Sequence, residues 1–136
     1  MKDQTVRPLL SALILASTPA LAADVQPLGP VQNGVRLGID RDSIDVDGKH
    51  GQAWVYIDIS GKPEGRTTLR KHLMRFDCQG QTMTVLEEVR YASDGEVVAS
   101  GSAKDEPERY MEVLPGSYGE KLMKLTCGDL AAPPSS

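Results

Sequence analysis

The chain has 136 residues, with 15 Lys and Arg against 19 Asp and Glu, and a formal net charge of −4 at pH 7. An acidic balance argues against nonspecific binding to nucleic acid or to an anionic membrane surface. One Phe and one Trp are also too few aromatic side chains to form platforms for base stacking. Net charge therefore selects no partner, and we expect no nucleic-acid ligand.

The N-terminus predicts a cleavable signal peptide over residues 1–22. Lys2 and Arg7 make its start basic, and the apolar residues 9–16 are too few to cross a bilayer. The Ala-Leu-Ala run at residues 20–22 is a signal peptidase site, so we expect cleavage after Ala22. No cysteine lies near this site, so we expect no membrane anchor. The exported protein is expected in the periplasm, with the cell surface or the medium as alternatives.

Three further regions follow the predicted signal peptide. Residues 23–34 contain Pro27, Gly29 and Pro30 without any period, and they predict a flexible lead-in. Residues 35–130 have the length of one ordinary domain. Residues 131–136 predict a disordered tail.

Four glycine-containing turns separate segments rich in β-branched and aromatic residues. The turns are Asp47-Gly48, residues 61–65, Gln79-Gly80 and Asp94-Gly95. The segments predict strands over residues 35–40, 53–59, 67–78, 82–91, 96–100 and 109–113. We therefore expect an antiparallel sheet of about six strands.

The two longest segments flank Gln79-Gly80 and predict a long hairpin. Because side chains alternate between the two faces of a strand, each arm is expected to keep one face along its whole length. These faces are His72, Met74, Phe76 and Cys78 in the first arm, and Met83, Val85, Val89 and Tyr91 in the second. In the 53–59 strand, alternation places Trp54, Tyr56 and Asp58 together.

A helix is predicted at the end of the domain. Ser117 and Glu120 have the spacing of a capping box, and Gly128 follows the last helical residue, where a C-cap belongs. Apart from a narrow polar stripe of Glu120, Lys121 and Lys124, the helix is apolar, so the sheet should cover it. The expected class is α+β, with this helix packed on the antiparallel sheet.

Cys78 and Cys127 are the only cysteines of the chain. Exported proteins keep disulfides, so we expect these two residues to form one. The bond would close a loop of about 50 residues and stabilise the fold by about 4 kcal/mol. Two reduced thiols or an intermolecular bond are the alternatives.

Catalytic and metal-binding motifs are weak. A nucleophile elbow needs Gly two residues before the serine, where Pro115 precedes Ser117. His50 and His72 are too isolated for a zinc site. The acidic residues Asp40, Asp42, Asp45 and Asp47 do not have the spacing of a calcium loop. We therefore expect no enzyme, no catalytic residue, no metal and no cofactor.

Positive charge is concentrated around the third of these segments, residues 67–78. Arg66, Arg70, Lys71 and Arg75, with His72 between them, form a candidate binding patch for an acidic partner or a sulfated glycan. The commoner explanation is an edge strand that charge protects against aggregation.

Several segments together resemble the bacterial surface-adhesin protein E family. They are residues 37–44, the strand with Trp54, Phe76-Asp77-Cys78, residues 90–98, residues 114–120 and Cys127. The resemblance implies a curved antiparallel sheet whose concave face carries a disulfide-linked C-terminal helix. The best-known member of that family is an outer-surface lipoprotein that binds host matrix and serum proteins such as laminin, vitronectin and plasminogen, and it can dimerise.

We therefore expect an exported, non-enzymatic protein-binding module. Matrix or serum proteins are the expected partners if the chain reaches the cell surface, and a homodimer is compatible with the resemblance. The alternative is a periplasmic structural or accessory protein of the envelope with no adhesive role.

Overall fold

The computed structural model describes residues 24–30, 32–104 and 109–130. These residues form one antiparallel sheet of eight strands and one α-helix, which confirms the α+β prediction. The strands are β1 (Val25–Pro27), β2 (Arg36–Asp40), β3 (Asp45–Asp47), β4 (His50–Asp58), β5 (Thr67–Asp77), β6 (Thr82–Ala92), β7 (Val97–Ser102) and β8 (Met111–Glu112). The helix α1 spans Tyr118–Cys127. The predicted signal peptide (1–22) and tail (131–136) lie outside the described residues.

The strands are ordered β1-β2-β4-β5-β6-β7, while β3 pairs with β4 and β8 pairs with β6. The hairpin predicted around Gln79-Gly80 is confirmed as β5 and β6, each of 11 residues. Strand β5 also pairs along most of its length with β4. The basic segment therefore lies in an interior strand, and the charged-edge interpretation is wrong.

The lead-in predicted over residues 23–34 is wrong where it includes β1. Val25–Pro27 pairs with β2, and the next residue, Leu28, is buried and donates its N–H to the carbonyl of Leu37. Close packing here depends on Gly38, because a Cβ at that position would lie 2.7 Å from Val25 Cγ1. A three-residue edge strand that contains proline has no alternation to detect, so the sequence pattern did not indicate it.

The predicted single face of β6 is also wrong, because a β-bulge divides the strand. Leu73 of β5 pairs with Glu87, whereas the next residue, Met74, pairs with Val85, so that Leu86 is an extra residue. Side chains beyond an extra residue change face. Met83 and Val85 therefore share the α1 side of the sheet, and Val89 and Tyr91 point to the opposite side.

The hydrophobic core lies between α1 and one face of the sheet, which we call the helix face. The helix contributes Leu122, Met123 and Cys127, all at most 5% exposed. The sheet contributes Ile39, Ala53, Val55, Met74 and Phe76. The other side of the sheet, which α1 does not cover, is called the open face.

The ends of α1 follow the sequence signals in part. Ser117 caps the helix as predicted, since its Oγ accepts from the N–H of Glu120 at 3.2 Å. The return bond of the capping box is absent: the N–H of Ser117 donates to the carbonyl of Leu114. Glu120 instead accepts from Lys124 Nζ at 3.0 Å. Gly128 has a φ of 56° and donates its N–H to the carbonyl of Lys124, as a C-cap does.

Candidate functional site

The predicted disulfide is confirmed. Cys78 and Cys127 are bonded, with their Cα atoms 5.7 Å apart and a sequence separation of 49. Both side chains are buried, at 0% and 4% exposure. The bond joins the last residue of α1 to the residue after β5, so it fixes the helix on the sheet and leaves no thiol for chemistry.

The four predicted basic residues do not form one patch. Arg66 precedes β5, is exposed, and pairs with Glu96 at 2.7 Å. Alternation along β5 then separates the other three: Arg70 lies on the helix face, whereas Lys71 and Arg75 lie on the open face. Any ligand that contacts Lys71 therefore approaches from the side opposite to Arg70.

Three basic side chains of the helix face, Arg70, His72 and Arg90, lie against carboxylates. Arg70 pairs with Glu64, and Glu88 joins Arg90 to His72, whose Nε2 lies 2.8 Å from Glu88 Oε2. Burial acts to raise the pKa of Glu88, but the hydrogen bonds from Arg90 and His72 outweigh it and hold that pKa below its usual value. Glu64 and Glu88 therefore offset the charges of Arg70 and Arg90.

Lys71 has a different environment on the open face. Its Nζ lies 4.6 Å from the centre of the Tyr56 ring and 4.9 Å from that of Tyr91. Both distances fall in the range of cation–π attraction. Among the described residues, Lys71 has no ion pair. The two rings therefore hold a positive charge that no carboxylate within residues 24–30, 32–104 and 109–130 neutralises.

An apolar groove of about 400 Å³ lies beside this lysine. Its lining includes Val25, Pro27, Gly38, Tyr56 and Leu69. Tyr56 is thus both a wall of the groove and one of the two rings that hold Lys71. We call the groove, Lys71 and Tyr91 together the Lys71 site.

One rim of the groove carries a pair of opposite charges. Arg36 of β2 stands directly across from Asp58 of β4. Hydrogen bonds from Ser60 hold the pKa of Asp58 below its usual value, and the positive charge of Arg36 lowers that pKa further. The charge of Arg36 is therefore offset by Asp58, whereas no described carboxylate offsets the charge of Lys71.

The sequence indicated only part of this site. Alternation placed Tyr56 on one face of its strand with Trp54 and Asp58, and the pairing of β4 with β5 confirms that shared face. It placed Tyr91 with the core residues of β6, because nothing in the sequence marks the extra residue Leu86. The groove was missed as well, since its wall on β1 was not predicted.

Two further properties concern the described parts of the chain. They contain no group of three or more His, Cys, Asp or Glu side chains arranged to hold a metal ion. None of their helices is long and apolar enough to cross a membrane. Ser117, the residue nearest to a nucleophile motif, serves as the cap of α1.

Known proteins resemble this chain in sequence pattern and in fold. The family model described as surface-adhesin protein E matches residues 26–128. Crystal form II of Haemophilus influenzae protein E is similar with a TM-score of 0.52 and 14% identity, over 80% of this chain and 98% of that one. The selenomethionine form of the same protein gives a TM-score of 0.49 and 15% identity, over 76% and 93% of the two chains.

No curated relative matches the chain. At 14% identity, the likeness to Haemophilus influenzae protein E shows a shared fold. The family match supports membership of the family as well as a shared fold, because it covers most of the sequence. The matched region includes both bonded cysteines and every strand from β2 to β8. The chain belongs to the surface-adhesin protein E family.

Proposed function

We propose that this protein is an exported, non-enzymatic binding module that attaches to host extracellular-matrix or serum proteins at the cell surface. The observation that carries the proposal is the match of the surface-adhesin protein E family to residues 26–128. The open face adds a physical basis, since aromatic rings beside an apolar groove are typical of surfaces that bind proteins.

Export is supported by the buried bond between Cys78 and Cys127. Disulfides of this structural kind persist in oxidising compartments and are rare in the cytosol. The predicted signal peptide over residues 1–22 is consistent with the same location. A binding role, rather than catalysis, is supported by the use of Ser117 as a helix cap and of both cysteines in the bond.

Two measurements on the full chain test this proposal. Protease added to intact producing cells should digest the protein, and the purified oxidised protein should bind immobilised laminin or vitronectin. Protein purified after reduction and alkylation in denaturant serves as the unfolded control.

The outcomes separate the two candidate functions. If the protein is protected from protease until the outer membrane is breached and binds neither matrix protein, the adhesive function is wrong. The alternative function, a periplasmic accessory protein of the envelope, is then supported. Digestion on intact cells without any binding would support the surface location and remove the adhesive function.

A further inference from the structure

Lys71 occupies an unusual position for a lysine without a carboxylate partner. It lies in β5, which has β4 and β6 on its two sides, and its side chain is half-buried. A half-buried ammonium loses part of its hydration, and within the part of the chain that the structure describes the faces of Tyr56 and Tyr91 compensate that loss. A carboxylate from outside the chain would complete the compensation.

The two tyrosine rings also reduce the flexibility of the lysine side chain. A free lysine loses rotamer entropy when it binds, at a cost of about 0.5–1.5 kcal/mol for one immobilised side chain. Because Tyr56 and Tyr91 already restrict Lys71, part of this cost falls on folding rather than on binding. Lys71 is therefore better prepared for an ion pair than an exposed lysine would be.

The groove next to Lys71 would accommodate an apolar group of the ligand whose carboxylate pairs with Lys71. Val25, Pro27 and Leu69 contribute to its lining, and its volume of about 400 Å³ is within the usual range for sites that enclose a ligand group. Since Tyr56 belongs to both the groove and the lysine pair, an apolar group in the groove would lie close to the ammonium.

These features distinguish between the two ligands considered for the basic patch. A sulfated glycan needs several free cations on one surface, but Arg66 and Arg70 are paired with Glu96 and Glu64, and Arg70 lies on the other face. A polypeptide can supply one carboxylate and one apolar side chain from neighbouring residues. The open face therefore favours a protein segment.

We propose that the Lys71 site binds a segment of a partner protein in which an Asp or Glu carboxylate pairs with Lys71 while a neighbouring apolar side chain enters the groove. This inference rests on the proposed function as a protein-binding module and specifies the chemistry of the partner. The charge match selects an acidic residue, and the lining of the groove selects an aliphatic or aromatic neighbour.

Random 12-residue peptides displayed on phage are the probe for this proposal. They are selected on the full chain, purified in its oxidised form. Selected peptides should carry Asp or Glu within two residues of an apolar residue. The Kd of these peptides for Lys71→Gln should be at least tenfold higher than for the wild type. For Lys71→Arg the Kd should stay within about threefold of the wild-type value, because an arginine keeps both the charge and the ring contacts.

A matched control is Lys121→Gln. Lys121 also lies over a tyrosine ring, 5.3 Å from the centre of Tyr118, but it belongs to α1 and not to the open face. This variant should bind the selected peptides as the wild type does. A second measurement needs no variant: a selected peptide added to the labelled wild type should shift the amide signals of Gly38, Leu69 and Lys71.

The proposal would be overturned by selected peptides without acidic residues, by equal binding to Lys71→Gln, or by a selection that yields no binding peptide. The proposed function is judged separately. If laminin or vitronectin binds the wild type and Lys71→Gln equally well, the adhesive function is supported. The matrix protein then binds to a surface other than the Lys71 site. If neither matrix protein binds the wild type while acidic-apolar peptides do, the Lys71 site stands and the adhesive function fails.

Discussion

Gly51 of β4 faces Thr126 of α1 across the core. A Cβ added at Gly51 would lie 3.0 Å from Thr126 Cγ2, 3.4 Å from the carbonyl oxygen of Thr126 and 3.5 Å from Cys127 Sγ. The missing side chain therefore allows the last turn of the helix to approach the sheet closely. This approach brings Cys127 within bonding distance of Cys78.

Gly51→Ala should lower the free energy of unfolding by about 1–3 kcal/mol, the usual cost of overpacking a core. Urea unfolding of the oxidised protein measures this loss. Gly101→Ala is the matched control, because Gly101 also lies in a strand but has no atom near its added Cβ. In a Thr126→Ser background, which lacks Cγ2, the cost of Gly51→Ala should shrink. An equal cost in both backgrounds would contradict the contact.

Removal of the disulfide should be costly. The double variant Cys78→Ala, Cys127→Ala is expected to lose about 4 kcal/mol of unfolding free energy, because the unfolded chain is no longer constrained by a closed loop. Chemical unfolding with and without reductant gives the measurement. Reductant should destabilise the wild type and leave the variant unchanged. A loss below about 1 kcal/mol would show that the unfolded state is not constrained as the loop-closure model requires.

The hydroxyl of Thr126 is buried without a hydrogen-bond partner among the described residues, and the residue is 2% exposed. Valine has the same shape without the polar atom. Thr126→Val should therefore raise the free energy of unfolding by about 1 kcal/mol, since an unsatisfied buried hydroxyl destabilises the folded state. A higher midpoint of thermal unfolding would support this expectation, and a lower midpoint would show that the hydroxyl does form a bond.

The turn after β5 should make the free energy of unfolding depend on pH in the acidic range. Backbone hydrogen bonds from Gly80 and Gln79 hold the pKa of Asp77 below its ordinary value of 3.8. Because the folded-state pKa is the lower one, the stabilisation is fully present above pH 3.8 and is lost as pH falls through the folded-state pKa.

Asp77→Asn tests this dependence. At neutral pH the variant should be less stable than the wild type, since an amide accepts weaker hydrogen bonds than a carboxylate. The difference should narrow as the pH falls below 3.8, where the wild-type carboxyl becomes protonated. Unfolding midpoints measured from pH 7 downward would show the trend, and a constant difference would count against it.

The regular elements could be predicted because their signals are local. The strand around Trp54, the hairpin at Gln79-Gly80 and the cap at Ser117 each depend on neighbouring residues, and the disulfide followed from having two cysteines in an exported chain. The bulge at Leu86 could not be predicted, because the extra residue is apolar like those around it. As a result, the pairing of Tyr91 with Lys71 was missed.

Strand β1 shows a second limit. Val25–Pro27 is held by its pairing with β2 and by the space above Gly38, and both are long-range features that three residues do not encode. The predicted basic residues do not form one patch for a related reason. The spacing of basic residues along β5 does not indicate which of them has a carboxylate partner. Glu64 and Glu88 supply those partners from other parts of the chain.

The extra residue in β6 has a consequence for how this protein can change. Met83 and Val85 lie on the helix face, whereas Val89 and Tyr91, beyond the extra residue Leu86, lie on the open face. Mutations at Val89 and Tyr91 can alter the open face while the hydrophobic core keeps its packing. Because of the extra residue, β6 can change its side chains on the open face without changing those that stabilise the fold.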